Sequence, residues 1–454
     1  MMPSPIVNVT ELIDQRAMSR TQIAIIAVCG MVNLLDGMDS QSIGVAAPLI
    51  AGSIGIKMSS FGPVFSAAQL GAAVGALGFG PIADRLGRRA MLALAAAIFG
   101  AFTLLTAMAH SYDTLLATRF FAGVGLGGAT PCFITLASEY TPRHLRATYV
   151  GALWACYPLG GMLGGFLNAW ILTWFGWHTM FWVGGILPFI VAIAVLAVVP
   201  ESVRFLMARR ATESRVRAIV ARLFPDAVGP DTRFTANEET ILGISVAQLF
   251  TERRAISTLL IWLAQFVGFG ALAVAVLWTP TLLNMAGISH ATTSIIIGVT
   301  GLGGFLGNAL SGKVLDRFGI LAGAVPALAI GAAALAGFGY FAADGVLASI
   351  CGLLTNALIG LGVTSTIVIC SAIYPTAIRS TGVGWAMGLG RTGQVFAPLL
   401  TGLTLGWGWS PAQMMGLMAL APLIGSVAML LLYLHLRDRF AGQGATGWRP
   451  ELAG

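Results

Sequence analysis

The stretch Gly80-Pro81-Ile82-Ala83-Asp84-Arg85-Leu86-Gly87 returns 232 residues later as Gly312-Lys313-Val314-Leu315-Asp316-Arg317-Phe318-Gly319. A second stretch, Pro142-Arg143-His144-Leu145-Arg146, has its counterpart 233 residues later in Pro375-Thr376-Ala377-Ile378-Arg379. Because the two repeats have nearly the same spacing, chance agreement explains them poorly. The spacing predicts a chain built from two copies of one structural unit.

The composition of the chain is typical of a membrane protein. Its 454 residues are 57% hydrophobic and 9% charged, whereas an ordinary soluble domain is roughly 25% charged. So few charges cannot cover a surface that faces water, which excludes soluble enzymes and nucleic-acid binding proteins. The apolar residues come in long blocks, as in membrane helices, and not in the alternating pattern of a membrane barrel.

Polar residues divide the apolar sequence into twelve candidate spans, since one membrane helix takes about 20 residues. The spans lie at 22–50, 60–82, 90–109, 114–137, 147–174, 179–199, 255–284, 291–312, 319–342, 345–373, 380–405 and 412–436. The sequence therefore predicts an all-α integral membrane protein of twelve transmembrane helices in two pseudo-symmetric six-helix bundles. We expect the N-terminal bundle at 1–199, a cytoplasmic central loop at 200–254, and the C-terminal bundle with a cytoplasmic tail at 255–454.

The basic residues predict how the chain is oriented. Of its 25 lysines and arginines, Arg119 and Arg391 fall within predicted spans and Lys57 lies alone on one side. The other 22 lie on the opposite side, which the positive-inside rule makes cytoplasmic. We therefore expect a multi-pass protein of the cytoplasmic (inner) membrane, in contact with its lipid, with both termini cytoplasmic. The net charge of +7 is spread over loops, so we expect no nucleic-acid partner.

The polar residues do not point to a metal or a cofactor. The five cysteines lie inside apolar blocks without the spacing of metal ligands, and the five histidines lie at span ends or in loops. Gly123, Gly125, Gly127 and Gly128 resemble a dinucleotide-binding loop, but no strand precedes them, and close helix packing explains them better. We expect no cofactor, no metal site and no enzymatic activity.

The first repeated stretch continues into Arg88 and Arg89, and the complete motif at 80–89 resembles the loop between spans two and three of the major facilitator superfamily. The resemblance implies a transporter in which this loop locks helix ends and releases them as the two bundles rock. The alternative is that the arginines only set the topology, although topology does not require Asp84. Glu139 is expected to pair with Arg143 or Arg146. The candidate gating residues are Gly80, Asp84, Arg85, Arg88, Arg89, Glu139, Arg143, Arg146, Asp316, Arg317 and Arg379.

Within that superfamily the chain resembles the aromatic acid:proton symporter family, which has a D-G-x-D signature in its first span. The signature is Asp36-Gly37-Met38-Asp39 here, and further matching stretches lie at 119–128, 138–142 and 388–393. The resemblance implies proton-coupled uptake of a small aromatic carboxylate, such as a hydroxybenzoate, protocatechuate, gentisate or a phenylpropionate. We expect the chain to function as a monomer.

Other functions remain open at this point. A proton-coupled exporter, or a carrier of another small organic ion or of a sugar, would have the same architecture. Residues 200–206 resemble a sugar-porter motif, but its second copy after the last span is missing. A sensor that signals through the central loop is disfavoured, because that loop carries no output module.

Charged residues inside predicted spans are the candidate coupling groups, since a charge at the membrane centre costs about 2.5 to 3.5 kcal/mol even on lenient scales. Asp36 lies about 21 Å from the cytoplasmic edge, and Arg119 on span four lies at a matching depth. We expect Arg119 to meet Asp36, one turn from Asp39, and the two aspartates to be the titrating groups. The alternative is that all three form a fixed structural clamp.

Arg391 lies near the membrane midplane and has no acid in its own helix to balance it. A guanidinium binds a carboxylate through two parallel hydrogen bonds, so we interpret Arg391 as the anchor of the substrate carboxylate. The alternative is a pair with Asp36 or Asp39. Candidates for the pocket around the aromatic ring are Trp154, Tyr157, Gln265, Phe269, Trp385, Asn356 and Gln394, although such residues are often packing groups.

The four core charges sum to zero when both aspartates are ionised. Protonating one aspartate leaves a net positive charge, which an incoming carboxylate neutralises. Proton and anion therefore favour each other's binding, which is the requirement for symport.

Overall fold

The computed structural model describes residues 6–208, 213–225, 233–235, 246–251, 254–374 and 376–441. The first half contains α1 (Val9–Gln15), α2 (Arg20–Ile54), α3 (Phe61–Leu86), α4 (Arg88–Ala107), α5 (Tyr112–Glu139), α6 (Arg143–Trp174), α7 (Trp177–Val198), α8 (Val203–Ala208) and α9 (Glu213–Leu223). The second half contains α10 (Ala255–Leu277), α11 (Thr279–Met285), α12 (His290–Gly319), α13 (Val325–Tyr340), α14 (Gly345–Ile373), α15 (Thr376–Gly406) and α16 (Pro411–Ala441). Two short strands, β1 (Ile6–Asn8) and β2 (Arg233–Thr235), pair in parallel.

Twelve long helices among the described residues correspond in order to the twelve predicted spans. They are α2 to α7, α10, and α12 to α16. Ten described segments are long and apolar enough to cross a membrane, and one of them, His290–Tyr340, includes both α12 and α13. The helix α15 is not among these segments, because its arginines, threonines and glycines lower its hydropathy.

Two predicted spans differ from the structure at a proline, and both differences have the same physical reason. The predicted span 255–284 is divided, since α10 ends at Leu277 and α11 begins at Thr279. The predicted span 319–342 begins later, after a π-helical turn at Ile320–Ala324. Pro280 and Pro326 lie in the first turns of the helices that follow. Proline has no amide hydrogen to donate within a helix, so it marks a helix start.

The two ends of the molecule differ in charge. The α3–α4 turn at Gly87, the α5–α6 turn at 140–142 and the start of α2 lie at one end, which we call the basic end. The opposite end, near Lys57, is the distal end. Gly87 joins two helices as a single residue with φ 103°, a conformation that favours glycine. Gly319, its counterpart in the repeat, also has a positive φ, of 67°.

Small residues bring the helices of each bundle close together. A Cβ atom at Gly71 of α3 would lie 2.0 Å from the carbonyl oxygen of Phe120 on α5. One at Gly127 of α5 would lie 1.8 Å from the carbonyl oxygen of Ala72. The glycines of α5 therefore allow close helix packing, as the sequence predicted.

The two bundles contact each other in their distal halves. Ser66 of α3 donates a hydrogen bond to the carbonyl oxygen of Val395 on α15 at 2.6 Å. On the other side of the interface, Gly165 of α6 lies against Gly298 of α12. The glycines in the basic halves of these same four helices are different, since a Cβ atom would meet no atom within 4 Å at Gly78, Gly80, Gly151, Gly312, Gly384 or Gly388. The molecule is therefore closed at the distal end and open at the basic end.

The segments that flank the first bundle pack on its basic end. Val216 and Val220 of α9 are buried in the same apolar cluster as Ile13 of α1. The guanidinium of Arg16 lies 5.5 Å from the ring centre of Phe224. The helix α9 of the predicted central loop thus covers protein surface, while 209–212, 226–232, 236–245 and 252–253 lie outside the described residues.

Candidate functional site

The buried ion pair of the first bundle joins α2 to α5. Arg119 Nη1 donates to Asp39 Oδ1 at 3.0 Å, and Arg119 Nη2 donates to Asp39 Oδ2. Both side chains are 2% exposed. The expectation that Arg119 meets Asp36 was wrong in its partner. Depth along a helix fixes a position only to within about one turn, which is the separation between the two aspartates.

Asp36 lies on the side of α2 that faces the second bundle. It is partly buried and lies within electrostatic reach of Arg391 on α15, and also of Asp39 and Arg119. Neither Asp36 nor Arg391 makes an ion pair within 4.0 Å in the described part of the chain. Their opposite charges therefore face each other across the open interface without closing it.

Arg391 also reaches the first bundle directly. Its Nη2 lies 3.5 Å from Thr130 Oγ1 on α5, at the limit of a hydrogen bond. Thr130 was not predicted as a site residue, because a threonine in an apolar span gives no signal of its own. Arg391 is thus partly buried between the bundles, with hydrogen-bond donors left over for a ligand.

Tyr157 is positioned beside Asp36 by the glycine between the two aspartates. A Cβ atom at Gly37 would lie 1.9 Å from the carbonyl oxygen of Tyr157. The absence of a side chain at Gly37 therefore lets α6 approach α2, and Tyr157 lies within electrostatic reach of Asp36 and Arg391. The structure thus brings the predicted site residues Asp36, Tyr157 and Arg391 together.

The other predicted pocket residues lie at different distances from this centre. The ring of Phe269 packs against Gly390, the neighbour of Arg391, since a Cβ atom there would lie 2.5 Å from Phe269 Cδ2. Gln265 is fully buried, and neither its amide oxygen nor its amide nitrogen has a partner among the described residues. Trp154 and Gln394 are partly buried.

Two predicted pocket residues, Asn356 and Trp385, make contacts within the second bundle. Asn356 donates to the carbonyl oxygen of Gly352 in its own helix at 3.1 Å. Trp385 is 47% exposed and stacks on Trp262, with 5.9 Å between ring centres. Trp385 lies six residues, or about 9 Å, along α15 from Arg391. It therefore belongs to the basic end of the second bundle, not to the surroundings of Arg391.

A second charged group, the basic-end cluster, consists of Asp84, Arg88, Glu139 and Glu201. Arg88 makes an ion pair with Glu139 through Nη1 and one of 3.2 Å with Asp84 through Nη2. The carboxylate of Glu201 accepts hydrogen bonds from the backbone amides of Arg88 at 2.9 Å and Arg89 at 3.2 Å. A carboxylate there satisfies the free amides at the start of α4.

Sequence reasoning missed Glu201, although it lies in the stretch 200–206 that was noticed for its likeness to a sugar-porter motif. A Cβ atom at Gly87 would lie 2.4 Å from Glu201 Oε2. The absence of a side chain at Gly87 therefore makes room for the carboxylate of Glu201. The sequence signal for Glu201 was a carboxylate placed just after a predicted span. Its hydrogen-bond partner, the backbone amide of Arg88, lies 113 residues earlier in the chain, so the sequence did not connect the two.

Tyr140 connects this cluster to the start of α8. Its hydroxyl donates to the carbonyl oxygen of Glu201 at 2.7 Å. Burial raises the pKa of Tyr140 well above its ordinary value, and the nearby carboxylates of Glu139 and Glu201 raise this pKa further. The hydroxyl therefore remains a neutral hydrogen-bond donor at physiological pH.

The remaining arginines of the first gate do not pair with Glu139, so that expectation was wrong. Arg143 makes an ion pair with Asp14 at 3.3 Å, and Arg146 Nε donates to the carbonyl oxygen of Ser138 at 3.0 Å. Arg88 reaches Glu139 because the turn at Gly87 places the start of α4 beside the end of α5. Arg85 is exposed, and Arg89 donates to the carbonyl oxygen of Leu196.

The repeated copy of the gate is different. Asp316 and Arg317 are exposed, and the guanidinium of Arg317 lies 5.5 Å from the ring centre of Phe318. Arg379 Nε donates to the carbonyl oxygen of Tyr374 at 3.4 Å. At the repeat offset, the positions of Arg88 and Glu139 are taken by Ile320 and Ala372. The second bundle thus lacks the residues that link the helices of the first.

Known proteins with similar sequences define the class of this one. The sequence profile of the Major Facilitator Superfamily matches residues 29–390. The chain is 34% identical to the 4-hydroxybenzoate transporter PcaK of Acinetobacter baylyi over 92% of this chain and 93% of that protein. It is 33% identical to the gallate transporter of Pseudomonas putida over 93% of this chain and 94% of that protein. The chain belongs to the major facilitator superfamily and is a transporter.

The relatives also narrow the group within the superfamily. A benzoate transport protein of Acinetobacter baylyi is 29% identical over 88% of this chain and 87% of that protein. Together with the two relatives above, it confirms the resemblance to aromatic acid transporters that Asp36-Gly37-Met38-Asp39 indicated in the sequence.

Solved structures have the same fold at lower identity. A D-xylose-proton symporter superposes with a TM-score of 0.71 at 20% identity, over 90% of this chain and 97% of that chain. A bacterial homolog of the human lysosomal transporter Spinster gives 0.69 at 17% identity, over 96% of this chain and all of that chain. These likenesses confirm the predicted fold of two helical bundles.

Proposed function

We propose that this protein imports an aromatic carboxylate together with protons by alternating access. The observation that carries the proposal is the placement of Asp36 and Arg391, which face each other across the open interface while Asp39 and Arg119 pair inside the first bundle. The names of the relatives, which transport 4-hydroxybenzoate, gallate and benzoate, support an aromatic acid as the substrate.

Arg391 is the proposed anchor of the substrate carboxylate. It is a permanent cation near the middle of α15, and its guanidinium can bind both oxygens of a carboxylate. Asp36 competes for that charge when it is ionised. A proton on Asp36 therefore frees Arg391 for the anion, and the bound anion in turn favours the protonated carboxyl.

The aromatic ring of the substrate would lie beside this anchor. Tyr157 and Phe269 offer ring faces next to Asp36 and Arg391. Gln265 offers a buried amide with unused hydrogen-bonding capacity, which suits a ring hydroxyl. Trp154, Gln394 and Asn356 complete the proposed pocket, and Trp385 would line the path from the basic end.

Asp36, Asp39 and Arg119 form the proposed proton-coupling group. Asp39 has a permanent counterion in Arg119, whereas Asp36 lies at the interface and loses its electrostatic partner when a substrate occupies Arg391. The same four charges give a neutral site when both acids are ionised. Uptake of the anion then requires a proton, which couples substrate flux to the proton gradient.

The gating residues are proposed to act unequally. The basic-end cluster, together with Gly80, Arg85, Arg89, Arg143 and Arg146, stiffens the first bundle. Asp316, Arg317 and Arg379 are free to change partners as the second bundle moves. Closing the basic end would bring the splayed halves of α3 and α15 together, while the distal contacts at Ser66 and Gly165 separate.

The proposed arrangement in the membrane follows from the charges. The basic end, both termini and the central loop at 200–254 lie on the cytoplasmic side of the inner membrane. Residues 1–199 and 255–454 are the two moving units, and one copy of the chain performs transport, since the proposed pocket lies between its own two bundles.

Uptake into proteoliposomes tests the proposal. Labelled 4-hydroxybenzoate, gallate, benzoate and glucose are offered with and without an inward proton gradient. We expect at least one aromatic acid to accumulate only with the gradient and to leak out when a protonophore is added. Gradient-independent equilibration of every acid, glucose uptake, or outward pumping would contradict the proposal and leave the fold unaffected. Lys57→Ala, which changes an exposed lysine at the distal end outside the proposed machinery, is a control for folding and insertion.

A further inference from the structure

A small cavity lies beside Asp39 inside the first bundle, away from the interface between the bundles. The residues that line it belong to α2, α4, α6 and α7, and include Asp39, Ser42, Thr103, Asn168 and Gly184. Its volume is about 10 Å³, which is close to the minimum for one water molecule. The proposed substrate pocket does not use it.

The polar groups on its walls are not fully hydrogen bonded. Thr103 is 1% exposed, and its hydroxyl has no partner among the described residues. Asn168 Nδ2 donates to Ser42 Oγ at 3.0 Å, but Ser42 uses its own proton for the carbonyl oxygen of Met38 at 2.8 Å. Asn168 Oδ1, which lies 3.4 Å from Ser42 Oγ, is therefore left with acceptor capacity.

Asp39 has further acceptor capacity as well. Arg119 takes one lone pair on each carboxylate oxygen, and each oxygen has a second. Thr103, Asn168 and Asp39 thus surround one small space with unused donors and acceptors. Buried polar groups of this kind are normally satisfied by ordered water.

The charged and titratable groups near Asp39 come from three other elements besides α2, which contributes Asp36. Arg119 faces it from α5, Tyr157 lies within electrostatic reach on α6, and Arg391 lies beyond Asp36 on α15. The charged residues of α4 are at its basic end, and α7 has no acidic or basic residue other than a histidine at its distal start. Among the described residues, no other charge therefore competes with Asp39 on the cavity side.

The cavity lies in the distal half of the first bundle. Thr103 is 15 residues, or about 22 Å, from the basic start of α4. Asn168 is six residues from the distal end of α6, and Gly184 is seven residues from the distal start of α7. The central opening between the bundles leads to the basic end instead. The cavity beside Asp39, whose side chain is 2% exposed, therefore lies in the half of the molecule where the bundles are closed.

We propose that this cavity holds a water molecule through which Asp39 receives its proton from the distal side, inside the first bundle and separate from the substrate's path. The inference rests on the proposed function, because it assigns the point at which the coupled proton enters the group of Asp36, Asp39 and Arg119. In the step itself the water passes one of its protons to a carboxylate oxygen of Asp39 as it accepts another from the distal side, and Arg119 loses part of its ion pair.

Two variants test the water without disturbing the ion pair. Thr103→Val keeps the shape of the side chain and removes the hydroxyl. Gly184→Ala keeps every polar group and narrows the cavity, because its Cβ would lie 3.7 Å from Thr103 Cγ2 without a clash. Thr106→Val is the matched control, since Thr106 is one turn away on α4, is fully buried and donates to the carbonyl oxygen of Phe102.

The transport readouts are proton-driven accumulation and counterflow exchange of the same labelled acid in proteoliposomes. We expect both test variants to lower the initial rate of proton-driven accumulation by about tenfold. Exchange, which needs no net proton movement, stays within about twofold of the wild type. Thr106→Val leaves both rates unchanged. Wild-type accumulation rates in both test variants would overturn the inference, as would accumulation that follows a sodium gradient.

Thermal unfolding provides a readout that is independent of transport. If the cavity is dry, Thr103→Val removes an unpaired buried hydroxyl and raises the melting temperature. With a bound water, the same change removes a hydrogen bond, and the melting temperature falls. A rise would overturn the inference even if transport is proton-coupled. A wild-type protein without any gradient-driven accumulation would instead overturn the proposed function, and with it the route for the proton.

Discussion

Arg119 holds both carboxylate oxygens of Asp39, while Asp36, one turn away on the same helix, faces Arg391 across the open interface. One aspartate is thus buried within a bundle and the other lies between bundles. Binding of the proposed anion at Arg391 would act directly on Asp36 and would reach Asp39 only through the first bundle. The two acids of a single signature have different surroundings and different partners.

The buried pair predicts a large loss of stability when one partner is removed. Arg119→Ala leaves the Asp39 carboxylate without its counterion, which costs about 3–5 kcal/mol for a buried pair. Adding Asp39→Asn to Arg119→Ala removes the uncompensated charge and should restore much of that loss. Melting temperatures in detergent measure both effects. Equal stability of the single and double variants would show that the pair contributes little.

Asp36→Asn should separate exchange from accumulation. The amide imitates a protonated carboxyl, so Arg391 stays free for the substrate anion, and counterflow exchange continues. Proton-driven accumulation and its dependence on external pH should disappear, because the residue no longer titrates. Uptake of the labelled acid at about pH 6 and at about pH 8, on either side of neutrality, measures the loss of pH dependence. Retained accumulation would exclude Asp36 from proton coupling.

Arg391→Lys should weaken binding of the carboxylate although the charge is kept. Lysine binds a carboxylate as a point charge and cannot form the two parallel hydrogen bonds of a guanidinium. We expect the apparent Kd for the acid to rise by about tenfold or more, equivalent to the loss of one charge-assisted hydrogen bond. The corresponding phenol without a carboxylate is the control ligand. Identical effects on both ligands would assign Arg391 a structural role.

The open basic end predicts a pattern of labelling. In a background without the native cysteines, Gly388→Cys should react rapidly with a water-soluble maleimide, since it points into open space on α15. Ser59→Cys, which packs beside Gly406 at the distal closure, should react slowly. Reaction rates in proteoliposomes measure the difference. Equal rates at both positions would contradict the open and closed ends described above.

Tyr140 predicts how stability depends on alkaline pH. Its pKa is raised in the folded protein, so its contribution to stability is complete below about pH 10 and falls as the pH rises above that value. Tyr140→Phe removes the hydrogen bond to Glu201 and should cost about 1 kcal/mol at neutral pH. The variant should also lose less stability than the wild type between about pH 9 and about pH 11, which is one pH unit on either side of the ordinary tyrosine pKa. Parallel pH profiles of the two proteins would contradict this.

Much of the fold follows from features that act locally along the chain. Apolar blocks set the helices, and the repeats at Asp84 and Asp316 indicate the duplication. The pairing of Arg119 with an aspartate of α2 could be predicted to within one turn, because helix rise converts residue number into depth. Which aspartate it meets depends on helix rotation, and the sequence contains no measure of that.

Contacts between distant segments were harder to predict. Glu201 caps α4 from beyond α7, and Thr130 approaches Arg391 from the other bundle. Neither contact joins residues at helical spacing, so no periodic pattern marks it. The walls of the small cavity have the same property, since Thr103 and Asn168 line one cavity only because α2, α4, α6 and α7 pack together.

The unequal gate has a practical consequence for attaching reporters to this protein. Around Gly87, an inserted residue would displace the amides that Glu201 binds and break the link from Arg88 to Glu139. Around Gly319, the exposed Asp316 and Arg317 have no such partners to lose within the described residues. A fluorophore or epitope inserted at the Gly319 turn should therefore follow the motion of the second bundle. The same insertion at the Gly87 turn would break the contacts of the first bundle and so abolish the motion that it was meant to report.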